Sequence, residues 1–220
     1  MGFLGAKSGS GVFQAIIAAM PPHDTYIETH LGSGVIMRAK PPAIRSIGLE
    51  VDPQTLAAFD SAYPVELHQV DCIAFLQSFD FASAGRVLVY ADPPYVLASR
   101  TSAARYRADY TDDDHRQLVA TLRAVPASVL LSGYPSMLYD ELLPDWPALE
   151  FQAMTRGGVR TEKLWRNFDL DAAHWATFAG HGFTRRQQIK RKAATWANRY
   201  RALEPGERLA VLAAILAEHA

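Results

Sequence analysis

The sequence predicts an α/β domain wound around a largely parallel sheet and followed by a short basic helical appendage. Three observations point there. Hydrophobic, strand-like runs alternate with short helical stretches, the pattern of βαβ units. A glycine turn or an acid stands at the carboxyl end of each of the early strands, the edge at which open α/β sheets bind ligands. Beyond Phe183 the composition turns cationic.

Taken in order, the apolar positions Val12, Phe13, Ile16, Ile17 and Met20 keep helical spacing, and Pro21-Pro22 stops that helix. A strand from Tyr26 to Thr29 runs into the glycine turn Gly32-Ser33-Gly34. A second, Ser46 to Glu50, leads to Asp52-Pro53, a helix cap with proline in the first turn. Val65 to Val70 reads as a third strand and Arg86 to Ala91 as a fourth. After Tyr95 comes a polar loop bearing Arg100, Arg105 and Arg107. Thr111-Asp112-Asp113-Asp114 then caps a helix reaching about Ala124, with its acids at the positive end of the helix dipole. Val129 to Ser132, Leu149 to Ala153 and Lys163 to Phe168 resemble the remaining strands. Two helices follow, about Arg185 to Arg201 and Pro205 to Ala217. The expected organisation is a catalytic domain over 1–183 and a basic helical appendage over 184–220. The apolar positions Leu209, Leu212, Ala213 and Leu216 would dock the last helix on the core or form a weak dimer face.

Composition narrows the function classes. With 220 residues, 49% of them hydrophobic and 20% charged, the chain is neither disordered nor collagen-like. Its length suffices for one sizeable core. A single cysteine, Cys72, excludes an internal disulfide and a cysteine-built zinc site and fits a reducing cytoplasm. The longest apolar stretch, Leu209 to Ala217, is far short of the roughly 20 residues a membrane helix needs. No signal-type apolar region opens the chain, so a cytoplasmic protein without membrane contact is expected. The histidines show no metal-ligand spacing, and no metal is expected.

The most informative motif is Asp92-Pro93-Pro94-Tyr95, at the carboxyl end of the hydrophobic fourth strand. Two prolines remove two backbone donors and stiffen the turn, so the Asp92 carboxyl and the Pro93 carbonyl can be held outward. Tyr95 adds an aromatic face. Two acceptors beside a stacking platform suit a planar ring with an exocyclic amino group. Glu28 to Gly34 supplies a strand and glycine turn over which a cofactor can approach the backbone closely. Glu50 ends the second strand, where an acid can take ribose hydroxyls, and Asp71 stands at the end of the third.

These motifs together resemble the class I S-adenosylmethionine-dependent amino-methyltransferases, specifically the Dam-like (D12) DNA adenine-N6 methyltransferases of small prophage type. Phe3-Leu4-Gly5-Ala6-Lys7 is similar to the family's amino-terminal aromatic-x-Gly-Gly-Lys motif, Glu28 to Gly34 to its cofactor loop, and Asp92 to Tyr95 to its catalytic tetrapeptide. Thr161 to Phe168 resembles a late strand motif of phage-type members. The resemblance implies a Rossmann-like, mostly parallel seven-stranded sheet and S-adenosylmethionine as cofactor. Phe3 and Lys7 would lie near the cofactor and the catalytic pocket, with Glu28, Gly32, Gly34 and Asp92 lining the cofactor site. Glu50 would take the ribose hydroxyls and Asp71 the cofactor's adenine amino group. Asp92 and Pro93 would accept from the target N6 amino group, Pro94 would stiffen the turn, and Tyr95 would stack on a flipped base. Two acceptors on the amino hydrogens favour a tetrahedral nitrogen whose lone pair is free for in-line attack.

Three departures stand out. Thr29-His30 replaces the family's Pro-Phe, Glu50 replaces its usual Asp, and only about twenty residues separate Asp71 from Asp92, where Dam-type enzymes insert a target-recognition domain. Base reading is then expected from the loop with Arg100, Arg105 and Arg107 or from the carboxyl-terminal region.

The formal net charge of −1 conceals a division. Between Thr184 and Arg208, Arg185, Arg186, Lys190, Arg191, Lys192, Arg199, Arg201 and Arg208 face only Glu204 and Glu207. Residues 1–183 are correspondingly acidic. Trp196 and Tyr200 interleave with the cations, a pattern suited to phosphate contact with double-stranded DNA. The alternative is a solvated helix whose aromatics pack on the core. The expected function is site-specific methylation of adenine N6 in DNA. The alternatives are the same chemistry on RNA adenine or protein glutamine, and a catalytically silent DNA-binding module.

Overall fold

The computed structural model describes residues 12–99, 109–155, 158–170 and 183–217. The chain divides into two compact units, Met1–Trp175 and Ala176–Ala220.

The first unit opens with α1 (Val12–Ala18), whose Val12, Ile16 and Ile17 are buried. Strand β1 (Thr25–Glu28) is buried at every position, and α2 (Val35–Ala39) follows it. Next come β2 (Arg45–Glu50), α3 (Pro53–Ala57), β3 (Glu66–Gln69) and α4 (Cys72–Ser78). The all-apolar β4 (Val87–Ala91) is fully buried, as expected of a strand covered on both faces. After a 3-10 turn at Leu97–Ser99 come α5 (Asp112–Ala124), β5 (Ser128–Gly133) and α6 (Met137–Leu142). A hairpin of β6 (Ala148–Thr155) and β7 (Gly158–Arg166) completes the unit.

These strands form one seven-stranded sheet in the order β3-β2-β1-β4-β5-β7-β6. The first five pair in parallel. Strand β7 runs antiparallel to β5 and to β6. This is the mostly parallel, seven-stranded sheet that the resemblance implies. The order reverses between β1 and β4: the chain leaves β1 toward β2 and β3 and returns on the other side as β4. A crevice opens at such a switch point, outside the carboxyl ends of the strands. Glu28 and Tyr90 are register partners there, which brings the glycine turn and Asp92 to the same edge.

The core explains why the strands sit in this register. Tyr26, Tyr90, Tyr139 and Trp165 are its largest fully buried side chains. Each buried phenol reaches a polar partner, as its hydroxyl must: Tyr26 donates to Glu28 Oε2 at 3.0 Å, Tyr90 meets Ser132 Oγ at 2.9 Å, and Tyr139 meets His115 Nδ1 at 2.9 Å. Each pair contributes about 1 kcal/mol net but would cost more if one partner were removed.

The expected caps are present. Asp52 accepts from Gln54 N at 3.2 Å with Pro53 in the first turn. Thr111 and Asp114 form a reciprocal capping box at the start of α5. The structure differs at three places. Strand β3 ends at Gln69, and Asp71 is the N-cap of α4, accepting from Ala74 N at 3.0 Å. Helix α6 follows a cap at Ser136, in a stretch where the sequence predicts no element. The last two strands are longer than expected, with pairing carried beyond the apolar run as far as Thr155 and Gly158, the latter at φ +100°.

The second unit consists of α7 (Phe183–Arg201) and α8 (Pro205–Ala217). Trp196 is 60% exposed, and the Arg199 guanidinium lies 5.3 Å from its ring centroid. Arg185, Lys190, Arg191, Lys192 and Arg199 are exposed. The side chains of Leu209, Leu212, Ala213 and Leu216 lie outside the described residues. No helix among the described residues is long and apolar enough to cross a membrane.

Candidate functional site

A glycine turn shapes this edge of the sheet. After β1 the chain turns through Gly32 and Gly34, both left-handed at φ +49° and +63°, and Gly34 N closes the turn on Leu31 O at 2.7 Å. A side chain on Gly34 would meet the Phe59 ring at 2.2 Å, whereas one on Gly32 would find its nearest atom, His30 O, at 3.9 Å. Gly34 is therefore required by packing as well as by dihedral, and the space above Gly32 is open to a ligand.

The Glu50 carboxylate is anchored to that turn. One oxygen accepts from Gly32 N at 2.9 Å and the other from Asp52 N at 3.0 Å. Each carboxylate oxygen has a further acceptor position, so the group is oriented and still able to take hydroxyl donors. Asp71 is exposed at the next strand end, with one oxygen engaged in capping α4. A glycine turn with two acids along adjacent strand ends fits a nucleoside-bearing cofactor. Glu50 suits the ribose hydroxyls, and Asp71 suits an amino group on the base.

His30, in the position where Phe is expected, joins a small polar cluster. Its Nδ1 lies 2.8 Å from Thr29 Oγ1 and its Nε2 3.1 Å from Tyr110 OH, with Cys72 Sγ 3.8 Å from both Nε2 and that hydroxyl. Burial, aided by His115, pushes His30 down to about 3, so its ring is neutral at physiological pH. Burial likewise pushes the Cys72 thiol up to about 11, which makes it an inert packing group.

Beneath the site, Glu28 is only 3% exposed. Desolvation, with the nearby Asp92 adding to it, pushes its carboxyl up to about 8 despite the hydrogen bond from Tyr26. Lys40, whose Nζ lies 4.4 Å from the Tyr26 ring centroid and donates to Pro41 O at 2.7 Å, is pushed down to about 8 by burial.

The tetrapeptide itself leaves β4 at the switch point. Asp92 Oδ1 accepts from Ser132 Oγ at 2.7 Å, and Ser132 also meets Tyr90 OH at 2.9 Å. A buried hydroxyl pair on the floor thus fixes the Asp92 carboxyl. Pro93 is buried, while Pro94 and Tyr95 are half-buried. Tyr95 donates its hydroxyl to Glu162 Oε1 at 2.7 Å and stacks on Tyr134, with ring centroids 3.9 Å apart and planes 9° from parallel.

The expected residues Glu28, Gly32, Gly34, Glu50, Asp71 and Asp92 through Tyr95 all lie along the carboxyl ends of β1 to β4. Phe3, Lys7, Arg100, Arg105 and Arg107 lie outside the described residues, as does the side chain of Arg186. Arg185, Lys190, Arg191 and Lys192 are on α7 of the second unit. On sequence grounds Ser132-Gly133-Tyr134, which follows a strand, is expected either to shape the pocket floor or to serve structural packing, and Glu162 enters only within the Thr161 to Phe168 motif. The signal for Ser132 and Tyr134 is their position at the end of β5, next to the switch point. Among the described residues no group of three or more His, Cys, Asp or Glu side chains could hold a metal ion.

No protein-family model matches the chain, and no curated protein sequence does. Solved structures resemble it in fold at low identity. The 23S rRNA methyltransferase ErmE is 15% identical with TM-score 0.46, over 72% of this chain and 68% of that one. The O-methyltransferase TomG of Streptomyces achromogenes, solved with S-adenosylmethionine, is 16% identical with TM-score 0.43, over 69% of this chain and 76% of that one. A SAM-dependent methyltransferase of Agrobacterium tumefaciens is 13% identical with TM-score 0.42, over 70% of this chain and 58% of that one.

Proposed function

We propose that the protein is an S-adenosylmethionine-dependent methyltransferase acting on the N6 amino group of adenine in double-stranded DNA. The observation that carries this reading is the arrangement of the tetrapeptide: Asp92 is oriented by Ser132 at the carboxyl end of β4, and the Tyr95 ring is stacked on Tyr134. An adenine amino nitrogen is a poor nucleophile because its lone pair is delocalised into the ring. The Asp92 carboxyl and the Pro93 carbonyl accept its two hydrogens, which favours a tetrahedral nitrogen and frees the lone pair. The bound cofactor supplies an electrophilic methyl carbon on a sulfonium. Once the nitrogen–carbon bond forms and the carbon–sulfur bond breaks, the alkylated nitrogen is strongly acidic, and its proton leaves through Asp92 to water. Orientation and electrostatic preorganisation supply the rate, so no strong base is needed.

Glu50 takes the ribose hydroxyls, Asp71 the cofactor's adenine amino group, and the glycine turn lies under the methionine part, with Phe3 and Lys7 completing the site. Tyr95 stacks on the flipped base and offsets part of the few kcal/mol that extrusion costs. The cations of α7, with Arg100, Arg105 and Arg107, supply phosphate contacts.

A second reading, adenine N6 in RNA, is favoured by one observation. The interval from Asp71 to Asp92 holds only α4 and β4, with no room for a target-recognition insert, and unpaired RNA adenines need no extrusion from a duplex. Incubation with methyl-labelled S-adenosylmethionine and separate DNA, RNA and protein substrates tests both. Label in DNA adenine supports the first reading and label only in RNA the second. Label in neither overturns both.

A further inference from the structure

Tyr95 is held by two side chains distant from it in sequence. Its hydroxyl donates to Glu162 Oε1 at 2.7 Å, and its ring lies nearly parallel to that of Tyr134 at 3.9 Å. Glu162 is on β7 and only 3% exposed. Its neighbour Lys163 is the register partner of Gly133, the last residue of β5. The antiparallel pairing of β7 with β5 therefore delivers Glu162 to the point where Tyr134 leaves the sheet.

The two contacts do different things. A tyrosine hydroxyl lies on the axis about which the ring spins, so a hydrogen bond to it fixes where the ring is but not its plane. A parallel neighbour fixes the plane. In buried surroundings the short hydrogen bond is stronger than it would be in water. With both contacts made, neither ring torsion has to be frozen when a ligand arrives.

We propose that Glu162 and Tyr134 are positioning residues, Glu162 setting the place of the Tyr95 ring and Tyr134 its plane, so that the target nucleobase meets a preset stacking surface. The inference rests on the methyl-transfer reading of the same site. Neither residue touches the reacting atoms. Both act through Tyr95, and their removal shows in turnover on the nucleic acid rather than in cofactor binding, because the cofactor elements are on the other side of Asp92, at β1 to β3.

The test is a double-mutant cycle between Glu162→Ala and Tyr95→Phe, with Glu162→Gln as the conservative variant. Methyl transfer from labelled S-adenosylmethionine to unmethylated genomic DNA and to total RNA gives kcat and the cofactor KM for each variant. Glu162→Ala lowers kcat about 10- to 100-fold, the scale of a small misplacement of a reacting group, and leaves the cofactor KM unchanged. Glu162→Gln keeps an oxygen acceptor for the phenol and restores most of the loss. In the Tyr95→Phe background Glu162→Ala adds nothing further. Tyr134→Phe retains activity, because it keeps the stack, and Tyr134→Leu does not. Additive losses in the cycle, a Gln variant no better than Ala, or a kcat untouched by Glu162→Ala would overturn the proposal while leaving the methyl-transfer reading standing. Wild-type protein that methylates neither nucleic acid overturns that reading first and this one with it.

Discussion

Glu28 and Asp92 lie close together at the switch point, and only Glu28 is almost wholly removed from water. Desolvation and the neighbouring Asp92 push Glu28 from its ordinary 4.5 up to about 8. Because the folded protein holds this proton more tightly than the unfolded chain does, the associated stability is complete below about 4.5. It is lost as pH rises through about 8. Glu28→Gln, which keeps the shape without the charge, is expected to flatten the decline between pH 5 and 8. Chemical denaturation across that range checks it, the variant being the more stable at the upper end by on the order of a few kcal/mol. Ser132→Ala tests the floor of the same site. It leaves a cavity no larger than one oxygen and removes a donor to Asp92. The expected outcome is a kcat lower by roughly tenfold together with a lowered melting temperature, since the buried Tyr90 hydroxyl also loses its Ser132 contact, at a cost of about 1–3 kcal/mol.

At the scale of elements, the glycine turn after β1, proposed to lie under the cofactor, tolerates little change. Gly34→Ala imposes a left-handed dihedral on a residue with a side chain and drives its Cβ into the Phe59 ring at 2.2 Å. The expected loss is about 1–3 kcal/mol of stability, together with a raised KM for S-adenosylmethionine, measured by thermal melting and titration of the cofactor. Thr111→Ala is the contrasting case. It removes the capping box of α5, and with it about 1 kcal/mol, while methyl transfer stays at the wild-type rate. The sequence reveals elements of this kind because local chemistry writes them: the Asp52 and Thr111 caps, the β4 run and the paired glycines all announce themselves within a few residues. It reveals less where partners are remote. Asp71 reads as a strand end because nothing local separates a strand-end acid from the N-cap of a short following helix. The hydrogen bond from Tyr95 to Glu162 spans 67 positions and exists only because β7 returns antiparallel to β5.

Across the whole molecule, charge is partitioned. Residues 1–183 are acidic and the segment from Thr184 to Arg208 is cationic, so a formal net charge of −1 says nothing against a nucleic-acid partner. If α7 makes phosphate contacts, replacing Lys190, Arg191 and Lys192 together by alanine lowers affinity for DNA of any sequence. It also reduces the steepness of the salt dependence by about 0.9 for each phosphate no longer neutralised, as read by fluorescence anisotropy at several salt concentrations. An unchanged slope would remove α7 from the interface without touching the chemistry assigned to Asp92. Adenine N6 methylation itself is read most plainly by nucleoside mass spectrometry of DNA from cells expressing either the wild-type protein or Asp92→Ala, in a host lacking adenine methylation. N6-methyldeoxyadenosine is expected with the wild type, and a drop of about 100- to 1000-fold with Asp92→Ala. Equal amounts from the two proteins, or none from the wild type, would refute the assignment.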